Sequence, residues 1–210
     1  MDKAKSRTIF ERFALQNKQP VTELNYTSNF ELLAAVMLSA QMTDKGVNKA
    51  TAALFPVANT PQSMLDLGEE KLKNYLKNIN LYKTKAKHLI QSCEILVKKH
   101  NSIVPDTREE LEALPGVGRK TANVVLSIAF DHPAIAVDTH IFRVANRTKL
   151  AQGKTPRQVE DKLVKIIPEL YLNHAHHWLI LHGRYVCTAR SPKCKACIIQ
   201  DLCEYEDKNL

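Results

Sequence analysis

The chain has 210 residues, enough for one compact domain or two small lobes and too few for a multi-domain assembly. Lys and Arg number 30 against 22 Asp and Glu, so the formal charge is +8, which favours a polyanionic partner, nucleic acid above all. Six glycines and nine prolines exclude collagen and low-complexity linkers and argue against a β-sandwich; the expected fold class is all-α.

The N-terminus is charged and runs into Ile9-Phe10-Glu11-Arg12-Phe13, without the unbroken apolar stretch of a secretory signal. Ser28 with Glu31 predicts a capping box opening a buried helix over 29–40. Thr60-Pro61 and Thr155-Pro156 each place a cap before a first-turn proline. Ala86, Leu89, Ile90, Cys93, Leu96 and Val97 make one stripe of a helix over 83–99, in which Cys93 reads as a core thiol. Thr107 with Glu110 caps a short helix ending at Leu114. About ten helices are expected in all, roughly six of them between two larger breaks, at Pro20-Val21 and at Asp131-His132-Pro133. Packing of the segment before the first break with the segment after the second would give two lobes and a groove. The longest apolar runs, Leu32–Leu38 and Val124–Phe130, are shorter than the roughly 18 to 20 residues of a membrane span, and the expected location is the cytoplasm.

Three stretches carry chemistry. Leu114-Pro115-Gly116-Val117-Gly118-Arg119-Lys120 reads as a tight turn between two helices, in which both glycines let the backbone bend and approach a ligand. The amides of Val117, Gly118 and Arg119 would stand at an open helix N-terminus, where phosphate binds. Neither Walker A spacing nor a preceding strand is present, so the alternatives are an ordinary αα-hairpin turn and a helix-hairpin-helix DNA contact. Lys120 opens the second helix, beside the positive end of its dipole, and is either a nucleophilic amine or a phosphate ligand. Asp138, in Ile135-Ala136-Val137-Asp138-Thr139-His140, is either an N-cap or a carboxylate working with Lys120. His140 reads as structural or as a phosphate contact. Finally Cys187, Cys194, Cys197 and Cys203 lie within 17 residues as C-x6-C-x2-C-x5-C. In a reducing compartment that crowding asks for tetrahedral zinc or an iron-sulfur cluster, and the single CxxC knuckle leans towards the cluster. Arg190, Lys193 and Lys195 make the same loop basic.

Taken together, Leu38-Ser39-Ala40-Gln41, the LPGVGRKTAN hairpin, VDTHIFR and the cysteine loop resemble the endonuclease III family of DNA glycosylases, over essentially the whole chain. The resemblance implies a six-helix barrel with the hairpin over 22–132, and a second lobe from 1–21 and 133–210 that carries a 4Fe-4S cluster on the four cysteines, with DNA in the cleft. It implies a bifunctional glycosylase and AP lyase of base excision repair. Lys120 would attack C1′ of a flipped, oxidised pyrimidine nucleotide and cut the strand by β-elimination, aided by Asp138. Gln41 and Leu81 would wedge into the duplex, while Gly116, Val117, Gly118, Arg119, His140 and Arg143 would contact DNA; Leu81 alone reads equally as a helix-end core residue. The carbonyls of Glu112, Leu114 and Val117 would offer a monovalent-cation site. The implied partner is double-stranded DNA with oxidised pyrimidines or abasic sites, bound by a monomer associated with the nucleoid and not with a membrane. One position departs from the family's usual glycine: Asn80, a residue that tolerates positive φ well. Lys120 separates the chain from the adenine-mismatch branch of the superfamily. A non-catalytic DNA-binding module and an iron-sulfur electron carrier are the rival classes.

If the +8 charge serves a phosphate backbone, log affinity for duplex DNA falls linearly with log salt, by about 0.9 per phosphate neutralised. Fluorescence anisotropy across a salt series checks this, and a flat dependence counts against a DNA partner.

Overall fold

Eleven α-helices and one 3-10 turn, Cys194–Ala196, make up the regular structure in the computed structural model, which describes residues 1–210. The chain divides into two units, Met1–Val21 with Asp131–Leu210, and the continuous Thr22–Phe130. The first contains α1 (Lys3–Gln16), α9 (Thr139–Arg147), α10 (Pro156–Ile166) and α11 (Glu169–Tyr185). The second contains α2 (Asn29–Ser39), α3 (Asp44–Leu54), α4 (Pro61–Leu67), α5 (Glu69–Tyr75), α6 (Tyr82–His100), α7 (Arg108–Glu112) and α8 (Arg119–Ala129).

The continuous unit is organised around α2. Every residue from Phe30 to Leu38 is buried, so this helix has no solvent face and packs against α3, α6 and α8. Its start differs from a full capping box. The Ser28 hydroxyl accepts from the Glu31 amide at 3.2 Å, but the Glu31 carboxylate accepts instead from the amide and hydroxyl of Thr27, at 2.6 and 2.8 Å. The Glu31 charge is thereby satisfied inside the first turn of a buried helix. Seven helices, not six, lie in this unit. Gly68, at φ 77°, ends α4 and begins α5, dividing 61–75 into two short helices. Thr60 and Thr155 cap α4 and α10 ahead of their first-turn prolines. α7 ends at Glu112, leaving Leu114 in the turn that follows. Cys93 is fully buried, and burial pushes its thiol up to about 12, as befits a core residue.

In the discontinuous unit, aromatic side chains bring the N-terminal helix to the C-terminal segment. Phe10 stacks on Tyr171 at 6.2 Å and meets Trp178 at 6.2 Å, and the Trp178 indole donates to the Asn17 carbonyl at 2.8 Å. Around them Ile135, Ile141, Val144, Val159, Leu163 and Leu179 complete one core.

α11 also buries His177, whose two ring nitrogens both lack a hydrogen-bond partner. Burial, with a lesser push from His174, lowers this imidazole to about 4. It is therefore neutral in the fold while the unfolded chain takes up a proton below about pH 6.5, so stability falls as pH drops from about 6.5 to about 4. His177→Leu should remove roughly 3 kcal/mol of that acid sensitivity, as an upper bound. Urea unfolding followed at several pH values measures it.

Candidate nucleic-acid interface and metal centre

The hairpin between α7 and α8 is built by one glycine, not two. Gly116 sits at φ 80°, and a Cβ placed there would lie 2.9 to 3.0 Å from His88 of α6. Gly118 is the N-cap of α8 at φ −96°, ψ 175°, with nothing within 4 Å of a Cβ, a conformation open to any residue. The Val117 amide is not an open donor either: it donates to the Leu114 carbonyl at 3.0 Å, closing the turn, while the Val117 side chain is buried. The N-terminus of α8 thus begins at its N-cap, Gly118. Ser92 of α6 donates its hydroxyl to the Pro115 carbonyl at 2.9 Å, and Arg108 of α7 donates to the buried Asn123 of α8 at 3.0 Å. Lys120, the second residue of α8, is exposed.

Two further turns in the same unit present the wedge candidates. In Ser39-Ala40-Gln41-Met42 the Met42 amide donates to the Ser39 carbonyl at 3.0 Å, with Ala40 at φ −55°, ψ 119° and Gln41 at φ 56°, a type II turn. In Ile79-Asn80-Leu81-Tyr82 the Tyr82 amide donates to the Ile79 carbonyl at 3.1 Å and Leu81 stands at φ 58°. Each turn puts a left-handed residue third, where glycine is the ordinary choice, and each holds a larger side chain there. The positive φ expected of Asn80 belongs to Leu81 instead. Leu81 is 63% exposed, so it is no helix-end core residue, and Gln41 is exposed too. The turns are joined. Buried Lys85 donates through Nζ to the carbonyls of Leu38 and Ala40, at 2.8 and 2.6 Å, and the Asn80 amide donates to the Gln41 carbonyl at 2.7 Å. Burial lowers the Lys85 pKa, and the ammonium answers it by capping the end of α2.

In the discontinuous unit Asp138 is the N-cap of α9, its Oδ1 accepting from the Ile141 amide at 2.8 Å. That bond fixes the carboxylate through Oδ1. Further along α9, Arg143 donates to the carbonyls of Cys187 and Gly183 at 2.9 and 2.7 Å, and its Nη2 lies 3.2 Å from Nδ1 of His140. One turn on, Arg147 donates to the carbonyls of Thr188 and Ala189 at 2.7 and 2.8 Å, reaches the Cys187 Sγ at 3.7 Å, and lies over the Tyr205 ring at 4.8 Å. Both arginines therefore fasten the cysteine loop to the helix that begins at Asp138. Arg12 of α1 adds a bond to the Ile198 carbonyl and an ion pair with Asp201.

All four clustered cysteines are free thiols, half-buried, and line one pocket that is partly open to solvent. Four thiols lining one pocket are a donor set that suits a polynuclear iron-sulfur cluster. Burial raises the thiols of Cys197 and Cys203, a cost that bound iron offsets by favouring thiolate. His182 adds a ring nitrogen 3.7 Å from the Cys197 Sγ. The residues present fit an iron-sulfur cluster, and Arg190, Lys193 and Lys195 stand exposed on the loop around it.

Residues 34–169 match the HhH-GPD superfamily of base excision DNA repair proteins, and residues 187–203 match the iron-sulfur binding domain of endonuclease III. The chain belongs to the endonuclease III family. It is 62% identical to endonuclease III of Haemophilus influenzae and 61% identical to that of Escherichia coli K12, over 99% of this chain and of each relative. A solved structure of a trapped endonuclease III–DNA covalent intermediate superposes with a TM-score of 0.90 at 43% identity, covering 97% of this chain and 96% of that one. The cysteine loop of this family member is thus an iron-sulfur domain, which decides between zinc and the cluster.

Sequence reasoning missed the residues that hold the site together. Arg147 was findable, four residues after Arg143 on one face of α9. Lys85 and His88 were not, and Asn80 stood out only for its backbone, because each acts on a group distant in sequence.

The hairpin geometry makes the two glycines unequal. Gly116→Ala should cost about 1 to 3 kcal/mol and weaken duplex affinity, through strain at positive φ and collision with His88, while Gly118→Ala should cost under about 1 kcal/mol. Thermal melts and anisotropy on both variants check the contrast.

Proposed function

We propose that Lys120 and Asp138 divide the chemistry of this DNA glycosylase and AP lyase between them, on oxidised pyrimidine nucleotides extruded from duplex DNA. The observation that carries the reading is Lys120: an exposed amine at the head of the hairpin's second helix, in a chain of a base excision repair family. C1′ cannot be reached inside the base stack, so the nucleotide must turn out. The Lys120 amine attacks C1′, the bond to the base breaks, and its electron pair leaves with the base, which takes up a proton. The attacking nitrogen loses a proton, and the C1′–O4′ bond then breaks with its electron pair and a proton going to O4′, which opens the sugar and gives the imine. Removal of a C2′ proton then expels the 3′ phosphate, which cuts the strand.

Asp138 serves the first half. Held through Oδ1 by the Ile141 amide, its carboxylate offers Oδ2 to positive charge developing on the sugar and to the proton that the amine must lose. The N-terminus of α8 at Gly118 and the side chain of Arg119 face backbone phosphate, as the net charge of +8 favours. Gln41 and Leu81 fill the space that the extruded nucleotide leaves. Cys187, Cys194, Cys197 and Cys203 would hold the 4Fe-4S cluster, which when bound stiffens the basic loop. The hairpin carbonyls of Glu112, Leu114 and Val117 would hold a monovalent cation, and His140 and Arg143 support the interface from α9. The two units correspond to the barrel and the cluster lobe. No helix is long and apolar enough to cross a membrane, and we place the working protein on the nucleoid as a monomer.

Lys120→Gln should abolish borohydride trapping on an abasic duplex and strand cleavage, while the protein still folds and binds DNA. Asp138→Asn should lose at least about a hundredfold in excision of thymine glycol yet keep part of its cleavage of a preformed abasic site, whose aldehyde is already open to the amine. Both are read on one gel, with circular dichroism confirming the fold. Covalent trapping by the Lys120 variant would mean another amine is the nucleophile; wild-type excision by the Asp138 variant would leave that residue as a helix cap only.

A further inference from the structure

We propose that Asn80 is a positioning residue that joins the Gln41 and Leu81 turns into a single double wedge; the inference rests on the wedge reading above. Three carbonyls around the first turn, those of Leu38, Ala40 and Gln41, all accept from the segment 80–85. The two inner bonds come from the buried Lys85 ammonium and fix the bases of the turns. The third comes from the exposed Asn80 side chain and acts on the residue at the tip, since its acceptor is the carbonyl of Gln41 itself. The donor must be the amide nitrogen, because a carbonyl oxygen can only accept.

The need for such a bond follows from the backbone. Gln41 and Leu81 stand at φ 56° and 58°, in a region that costs a residue with a Cβ about 1 kcal/mol or more, so each turn relaxes unless something holds it. Leu81 is held by α6, whose first bond runs from the Lys85 amide to the Leu81 carbonyl at 3.0 Å. The Gln41 carbonyl has Asn80. A glycine at position 80 would leave both turns formed but untied at their tips, and each side chain would then enter DNA at its own ordering cost. With the tie, the cost of ordering falls once for the pair. Because the bond uses the backbone of Gln41, it survives Gln41→Ala, which allows the tie and the wedge to be separated.

The test is single-turnover excision of thymine glycol from a duplex by the parent chain, Gln41→Ala, Leu81→Ala and the double variant, repeated in the Asn80→Ala background. Cleavage of a single-stranded abasic oligonucleotide supplies the reference rate for each. With Asn80 present, the two wedge substitutions should depart from multiplicative behaviour by about fivefold, the size of one exposed hydrogen bond. In the Asn80→Ala background they should multiply. Stopped-flow fluorescence of 2-aminopurine opposite the lesion should show the slower insertion directly, with an unchanged melting temperature. Equal coupling in both backgrounds overturns the tie and leaves the wedge intact. Equal losses of duplex excision and single-strand cleavage in Asn80→Ala, together with a lowered melting temperature, reduce Asn80 to a structural residue. If neither Gln41→Ala nor Leu81→Ala slows duplex excision against the reference, the wedge reading fails and the tie fails with it.

Discussion

A helix that is apolar on every side must be enclosed on every side, and α2 imposes that demand on the continuous unit. With Phe30 through Leu38 all buried, it can stand only where α3, α6 and α8 surround it. The difficulty is at its ends, where carbonyl and amide groups lose their intrahelical partners away from water. Glu31 and Thr27 resolve the start. The finish is resolved by a lysine reaching in from α6, and it is at that finish that the chain turns outward to present Gln41. A requirement of core packing therefore sets where one of the candidate DNA-contacting residues emerges.

α6 extends the same logic along its length. Leu81 at its N-cap, then Lys85, His88 and Ser92, follow helical spacing along one stripe. Leu81 stands exposed, while Lys85, His88 and Ser92 meet in turn the end of α2, the glycine of the hairpin and the carbonyl of Pro115. One rigid helix thus sets the separation between the turns that carry Gln41 and Leu81 and the hairpin at Gly116. α9 does comparable service in the other unit, with Asp138 at its head and Arg143 and Arg147 carrying the cysteine loop along its side.

Local chemistry made much of this legible. The caps at Thr60, Thr155 and Thr107, the stripe of α6 and the burial of α2 all follow from neighbours within a few residues, and the four cysteines announce a metal by crowding. What did not follow were decisions made across the fold. Gly116 and Gly118 look equivalent in the sequence, and only the approach of His88 tells them apart. Positive φ was expected of Asn80, the residue that accepts it most easily, but the turn hydrogen bond sets the position, and that position is Leu81. The fate of the Glu31 carboxylate likewise depends on where Thr27 lies once the chain has entered the helix.

The division of the chain has a consequence in time. Thr22–Phe130 is continuous, so it can fold while synthesis proceeds, but α1 needs partners from α11, and Arg12 needs the loop near Asp201. At 5 to 20 residues per second, the ribosome takes about 4 to 15 s to travel from residue 130 to Cys203. Throughout that interval Phe10 and Phe13, first out of the tunnel, wait without their core. The N-terminal helix is thus the earliest made and among the last placed, and the nascent chain carries its aromatic face exposed until the iron-binding loop has been made.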